Sequence, residues 1–417
     1  MPAPYKPRTV VEDVMPSTRR PVHEEKGPHY VYERLAVERS IAALGQALPD
    51  FVLLYSMKAN PFRPLLDLMR GRGLGIDAAS AGEVQVALEA GFAPTDIFFS
   101  CPGKTEEDVA FALGSATVVA DSLGELERLD RIAGQLGRHA GIGLRINPDA
   151  SLGPQQDARL AEQGKPSKFG IDEELVLARL GAMKALQHVR IEGIHVYLRS
   201  QIASAEAICQ VTARCVRLAR TLEQGLDSRL SWVNVGGGFA SALGAGQPSL
   251  DLELLRRDMA GLPGQLPHLR FMAEAGRFLV AGAGTFWTPI VDIKDSRGVR
   301  FYVTAGGLDG MLRPALALLL ARMAHGAQAW PLEPLYSSAE CHAICVVRAD
   351  GTPAAGETEI VTVAGPLCTA LDVLAEDIRL PKAKIGDWIV VSNAGAYCAT
   401  LSPAGFASRP RPREYLI

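Results

Sequence analysis

Short apolar runs recur along most of the chain, and between them lie longer stretches whose apolar positions follow a helical spacing. The runs are Phe51–Tyr55, Gly75–Asp77, Ile97–Phe99, Thr117–Ala120, Ile142–Arg145, Ile191–His195, Trp232–Val235 and Phe271–Glu274. The helical stretches include Glu33–Leu48, Gly82–Ala90, Glu106–Leu113, Leu123–Leu136 and Glu174–Met183. Strands alternating with helices make parallel sheets, and eight such repeats favour a closed barrel. The pattern changes near residue 285: Thr288–Ile293, Arg300–Thr304, Ala343–Val347, Glu359–Val363 and Asp387–Val391 are β-rich and separated by glycine turns. The predicted class is α/β plus β, a (β/α)8 TIM-type barrel over residues 36–285 with a C-terminal, mostly antiparallel β-domain over 286–417. His29–Tyr32 belongs to no barrel repeat, so residues 1–35 are predicted to form an arm and a strand that joins the β-domain.

A chain of 417 residues accommodates a barrel and an addition. With 48% hydrophobic and 21% charged residues it has the composition of a soluble globular protein. A net charge of −3 gives no electrostatic case for binding nucleic acid or an anionic membrane. Met1–Lys26 is proline-rich and charged without an apolar core, unlike a signal peptide, and the most apolar stretch, Pro314–Met323, is too short to span a bilayer. The seven cysteines are scattered. Cys341 and Cys345 lie four apart without a second pair, which argues against zinc, and an odd, scattered set in a long chain suits a reducing cytoplasm better than a disulfide framework.

A TIM-type barrel carries its chemistry at the carboxyl ends of its strands. The charged and glycine-rich residues gather there: Lys58, Asp77, Arg145, His195 with Tyr197, Gly236-Gly237-Gly238, and Glu274 with Arg277. Lys58 follows a buried-type strand that Asn60-Pro61 breaks. An ammonium there is costly to desolvate, which favours the neutral amine that forms a Schiff base with a carbonyl; a lysine snorkelling from a strand end fits the same local pattern. Three successive glycines let backbone N–H groups approach a phosphate, or simply make a tight turn. Glu274 and Arg277 read equally well as a structural ion pair.

Taken in order, these segments resemble the fold-type III pyridoxal-phosphate decarboxylases, the ornithine and diaminopimelate decarboxylase family, across roughly residues 28–405. The resemblance rests on His29–Tyr32, Tyr55-Ser56-Met57-Lys58-Ala59-Asn60, Asp77–Glu83, Arg145-Ile146-Asn147-Pro148, Ser167-Lys168-Phe169-Gly170, the triple glycine, Glu274-Ala275-Gly276-Arg277, Gly365-Pro366-Leu367-Cys368 through Asp372, and Gly395-Ala396-Tyr397. It implies pyridoxal 5'-phosphate as cofactor, held covalently by Lys58, with Glu274 keeping the pyridine nitrogen protonated. Gly236, Gly237, Gly238, Gly276, Arg277, Ser200 and Tyr397 then surround the phosphate, and Asp77, Arg145, His195 and Tyr197 complete the cofactor set. Cys368, otherwise readable as a small buried hydrophobe, protonates the carbanion from a partner subunit. Asp372 belongs to the same interface loop and to the substrate set, and a homodimer with shared active sites follows.

The departures concern the substrate. Where the family has His-x-Gly-Ser, this chain has Tyr197-Leu198-Arg199-Ser200, so either Tyr197 or His195 stacks on the cofactor. Arg199 is a candidate for a substrate carboxylate, or a surface arginine. The acid that meets a distal ammonium in the relatives is Thr369 here, while Arg313 matches an arginine that binds a distal carboxylate. The expected activity is removal of the α-carboxylate from a polyanionic or conjugated amino acid in siderophore or other specialised biosynthesis. A diaminopimelate, lysine or ornithine decarboxylase is the alternative. A racemase disagrees with Glu274, since racemases of this fold place an arginine at the pyridine nitrogen, and a non-catalytic homologue disagrees with the retained Lys58, Glu274, Arg277, Cys368 and Tyr397. No metal site is expected.

Overall fold

The structure, a computed structural model, describes residues 25–148, 167–197, 199–241, 243, 249–323 and 342–417. The predicted N-terminal arm up to residue 24, and Cys341, lie outside the described residues. Contacts divide the chain into two compact units: Ile41–Ala240 with Ser249–Gly276 form one, and the other includes the chain up to Ser40 and from Arg277 to Ile417.

After β1 (His29–Tyr32) and α1 (Arg34–Ala47), the chain lays down β2 (Phe51–Ser56), β3 (Gly75–Ala78), β4 (Ile97–Ser100), β5 (Thr117–Ala120), β6 (Ala140–Asn147), β7 (Ile171–Asp172), β8 (Val189–Val196), β9 (Trp232–Asn234) and β10 (Arg270–Ala275). Helices α2 (Arg63–Gly71), α3 (Ala81–Glu89), α4 (Glu106–Ala112), α5 (Leu123–Gln135), α6 (Glu173–Ala178), α7 (Leu180–Lys184), α8 (Ala205–Leu226) and α9 (Leu252–Met259) lie between them. Several start where the sequence supplies a cap: Ser80, Ser122, Ser204 and Asp251 accept a backbone N–H of the first turn, and Thr105 with Asp108 forms a capping box.

The strands predicted from the alternation close into a parallel barrel. They run in the order β2-β3-β4-β5-β6-β8-β9-β10, and β10 pairs back onto β2. Two-residue β7 is an addition on β6 that the sequence did not signal. Leu54, Phe98, Val119, Trp232 and Met272 pack together as a buried layer. Glycines make room for the indole: a Cβ on Gly143 or Gly193 would lie 2.3 Å or 2.1 Å from Trp232 atoms, and Gly143, Gly193 and Trp232 stand in register across β6, β8 and β9.

The second unit carries β11 (Gly284–Ser296), β12 (Val299–Thr304), β13 (Ile344–Val347), β14 (Thr358–Ala364), β15 (Val373–Pro381), β16 (Trp388–Val391) and β17 (Arg413–Leu416), with short α10 (Arg277–Val280) and α11 (Leu312–Met323). The sheet order is β13-β16-β11-β12-β14-β15, and β1 pairs antiparallel with β11 and parallel with β17. Only β12–β14 and β1–β17 are parallel pairs among the described strands of this sheet. Val31, Trp287, Val347, Trp388 and Val390 form its buried cluster, and the His29 ring stacks on Trp287 at 6.1 Å. The apolar segment Pro314–Met323 lies within α11. Among the described residues no helix is long and apolar enough to cross a membrane.

Substituting Gly193→Ala tests the barrel layer. The added methyl has no space beside Trp232, so the urea midpoint should fall by the equivalent of about 1–3 kcal/mol with an unchanged slope. An unshifted midpoint would contradict the packing.

Candidate active site

Side chains alternate along a strand, so residues two apart share a face. Two residues beyond the small or apolar positions Leu54, Gly75, Phe98, Val119, Gly143, Gly193, Trp232 and Met272 stand Ser56, Asp77, Ser100, Asp121, Arg145, His195, Asn234 and Glu274. Every strand of the barrel thus passes from an apolar or glycine position to a polar one at its carboxyl end.

The members of this ring bond one another. Ser100 Oγ is 3.0 Å from His195 Nδ1, and His195 Nε2 is 3.1 Å from Glu274 Oε1. Asn234 Nδ2 donates to Glu274 Oε1 at 2.8 Å, and its own Oδ1 accepts the Gly236 N–H at 2.9 Å. Burial pushes the Glu274 carboxyl up, but the adjoining His195, the charge of Lys58 and the Asn234 amide outweigh it and hold the group below the usual carboxylate range. Glu274 is therefore an anion inside the barrel. Lys58, in the 3₁₀ turn Met57–Ala59, places Nζ 2.6 Å from the buried Asp77 carboxylate while 44% of its side chain stays exposed. Arg145 bonds Asp121 at 3.3 Å, and its guanidinium lies 4.6 Å from the Phe169 ring and 5.9 Å from that of Tyr197. Asp121 also accepts the Gly170 N–H.

The triple glycine closes against its neighbours. A Cβ at Gly236 would meet the Val196 carbonyl oxygen at 2.3 Å, at Gly237 that of Glu274 at 2.4 Å, and at Gly238 that of Arg199 at 1.8 Å. Gly236 and Gly238 have φ of 73° and 93°, which suits glycine. A Cβ at Gly276 would lie 3.0 Å from the Cβ atoms of Ser56 and Ala59. Tyr197 O–H and Ser200 Oγ are 2.9 Å apart. Of the two rings expected near the cofactor, His195 is thus committed to Ser100 and Glu274, whereas Tyr197 lies past the end of β8.

In the second unit Arg277, buried at the start of α10, has its guanidinium 5.0 Å from the Tyr397 ring. Arg313, also buried, donates to the Ala396 carbonyl at 3.4 Å. Cys368 is exposed and Thr369 half-buried on the β14–β15 loop. The Asp372 carboxylate accepts the Leu308 N–H at 2.6 Å and the Leu367 N–H at 2.7 Å, so it braces the loop that carries Cys368. Burial raises its carboxyl despite these donors.

Sequence reasoning did not single out Ser100, Asp121, Asn234 or His342. The first three stand two residues beyond Phe98, Val119 and Trp232, a spacing that becomes a signal only once the inward face of each strand is known. His342 gave no signal. It is buried, its Nδ1 lies 2.9 Å from the Ser392 carbonyl oxygen, and burial together with Arg313 and Arg277 pushes it down to about 3.

The ring fits pyridoxal phosphate: an amine for its carbonyl, an anion for its ring nitrogen, and a glycine cradle that a Cβ would fill. Comparison with known proteins agrees. Residues 34–281 match the pyridoxal binding domain of the pyridoxal-dependent decarboxylases. An L-glutamyl-(BtrI acyl-carrier protein) decarboxylase from Niallia circulans is 31% identical over 397 residues, covering 93% of this chain and 88% of that protein. A diaminopimelate decarboxylase from Archaeoglobus fulgidus is 30% identical over 405 residues, covering 95% and 89%. The structure of Helicobacter pylori diaminopimelate decarboxylase complexed with L-lysine superposes with a TM-score of 0.77 at 26% identity, covering 94% and 92%. The chain belongs to the fold-type III pyridoxal-phosphate-dependent decarboxylase family, as a divergent branch. It is a pyridoxal-phosphate-dependent amino acid decarboxylase.

The neutral His342 makes stability depend on pH. The unfolded chain takes up a proton below about 6.5, whereas the folded protein resists until about 3. Stability is therefore lost on acidification through that window, with a slope of about 1.4 kcal/mol per pH unit from this group. His342→Asn should flatten the dependence of the denaturation midpoint between pH 6.5 and 5 by that amount. Identical slopes in the two proteins would contradict the assignment.

Proposed function

We propose that this decarboxylase acts on an amino acid whose distal end carries a further carboxylate or an acyl conjugate, in siderophore or other specialised biosynthesis. The observation that carries the reading is the loop after β14, where Thr369 follows Cys368. A distal ammonium buried against Thr369 gains no countercharge and is disfavoured. A carboxylate instead takes charge-assisted hydrogen bonds from arginine, and Arg313 supplies the buried cation of the same unit, with Arg199 a second candidate on the barrel. The relative named for a glutamyl group on an acyl-carrier protein supports this reading. The relatives named diaminopimelate decarboxylase favour the alternative.

In this reading Lys58, held at the barrel mouth by Asp77, anchors the cofactor. Glu274, kept anionic by its neighbours, partners the ring nitrogen, and Tyr197 stacks on the ring. Arg145 flanks Tyr197. Gly236–Gly238, Gly276, Ser200, Arg277 and Tyr397 are the residues for the phosphate. Bound pyridoxal phosphate supplies the sink for the electron pair that departing carbon dioxide leaves behind. Cys368 of a second copy of the chain delivers the proton to the substrate carbon, which makes the enzyme a homodimer. The six described cysteines are all free thiols, which suits a cytoplasmic enzyme.

Lys58→Ala should lose the visible absorption of the holoenzyme, and Cys368→Ala should keep it while decarboxylation slows or yields aldehyde. Mixing the two variants should restore part of the activity. An unchanged spectrum in the first, or full activity with normal product in the second, removes that residue from its role. For the substrate, carbon dioxide release is measured over lysine, ornithine, diaminopimelate and citryl–diamino acid conjugates. The conjugates should be preferred, and Arg313→Ala should weaken them. Turnover of a simple diamino acid at about 10⁴ M⁻¹s⁻¹ or above, with Arg313→Ala leaving the preferred substrate unaffected, overturns the reading.

A further inference from the structure

The turn that follows β16 is shaped by a residue that belongs to none of the family's marks. Between Ser392 and Tyr397 two residues take left-handed backbone: Asn393 has φ 55°, which asparagine tolerates, and Tyr397 φ 61°, at a cost of about 1–2 kcal/mol. A Cβ at Gly395 would sit 1.7 Å from the Val280 carbonyl oxygen. Such a turn persists only where its surroundings over-determine it. Ala394 and Gly395 N–H donate to the Gly284 and Ala281 carbonyls at 2.8 Å and 3.1 Å. Asn393 Nδ2 donates to Leu243 at 2.6 Å, and Arg313 Nη1 reaches Ala396.

His342 holds the root of this turn, 2.9 Å from the Ser392 carbonyl oxygen. A carbonyl only accepts, so Nδ1 carries the proton. Among the described residues no group donates to the Nε2 lone pair. A buried acceptor left unmade costs about 1–3 kcal/mol, which a purely space-filling apolar residue would avoid. What the histidine offers in return is the Nδ1–H donor. Its neighbours Arg313 and Arg277 disfavour a third positive charge beside them, so the ring acts as a neutral donor.

We propose that His342 is a positioning residue: its Nδ1–H sets the Ser392–Tyr397 turn and thereby presents Tyr397, beside Arg277, to the phosphate of the cofactor. The inference rests on the phosphate-side roles proposed above for Arg277 and Tyr397. A structural role without this consequence would weaken every form of the cofactor alike, whereas a phosphate-side role weakens only the phosphorylated one.

The test is a titration of the full-length protein, stripped of cofactor, with pyridoxal phosphate and separately with pyridoxal. His342→Leu should raise the dissociation constant for pyridoxal phosphate by about tenfold and leave that for pyridoxal within about twofold. Equal weakening of both, or no change with an intact circular dichroism spectrum, overturns the inference. Should His342→Leu not fold, His342→Asn and His342→Gln decide it. Asparagine places its amide N–H near Nδ1 and glutamine near Nε2, so the first should keep the preference for the phosphorylated form and the second lose it. Equal behaviour of the two overturns the inference. Arg277→Met separates the layers: if it too keeps the preference, the phosphate-side reading beneath fails, and if it alone loses it, only the role of His342 fails.

Discussion

Everything at the barrel's carboxyl end follows from one constraint, the two-residue alternation of side chains along eight closed, parallel strands. A layer of Leu54, Phe98, Val119, Trp232 and Met272, with Gly75, Gly143 and Gly193 on the other strands, is followed two residues later by Ser56, Ser100, Asp121, Asn234 and Glu274, and by Asp77, Arg145 and His195. With an apolar layer below them, these groups must satisfy one another. An isolated carboxylate at that depth costs several kcal/mol, and Glu274 escapes the cost because His195 and Asn234 meet one oxygen within 3.1 Å. The same closure fixes Asn234 on the Gly236 N–H, so the anion and the glycine turn form one bonded structure. A pyridoxal site needs an anion and an anion-binding turn near each other, and here they share a single asparagine.

The barrel was legible because its strands are short, apolar and bounded, and because the helices between them show their periodicity and caps. Strand β15 was missed. Val373–Pro381 mixes acids and a basic residue with its apolar positions, and its place on β14 is set by pairing, a non-local contact that no local pattern reports. In the site, residues carried by dense motifs such as the lysine turn and the triple glycine were legible, whereas their partners were not. Ser100 and Asp121 sit alone in unremarkable segments and gain meaning only when neighbouring strands bring them to Glu274's ring.

Two individual residues show where local reading ends. Asp372 sits in a motif, but the sequence does not show that its carboxylate accepts the Leu308 and Leu367 N–H groups and so braces the loop of Cys368. His342 has no motif around it, and its properties come from burial beside Arg313 and Arg277, residues 29 and 65 positions away along the chain. Its neutrality comes first from burial and then from the charges of Arg313 and Arg277 beside it.

The central claim is that Glu274 is anionic in the ring and keeps the cofactor's nitrogen protonated. Nitrogen-15 magnetic resonance of the holoenzyme, carrying pyridoxal phosphate labelled at the ring nitrogen, tests it directly. The account predicts a pyridinium shift in the native protein and an unprotonated pyridine shift in Glu274→Gln. The same shift in both proteins would contradict it.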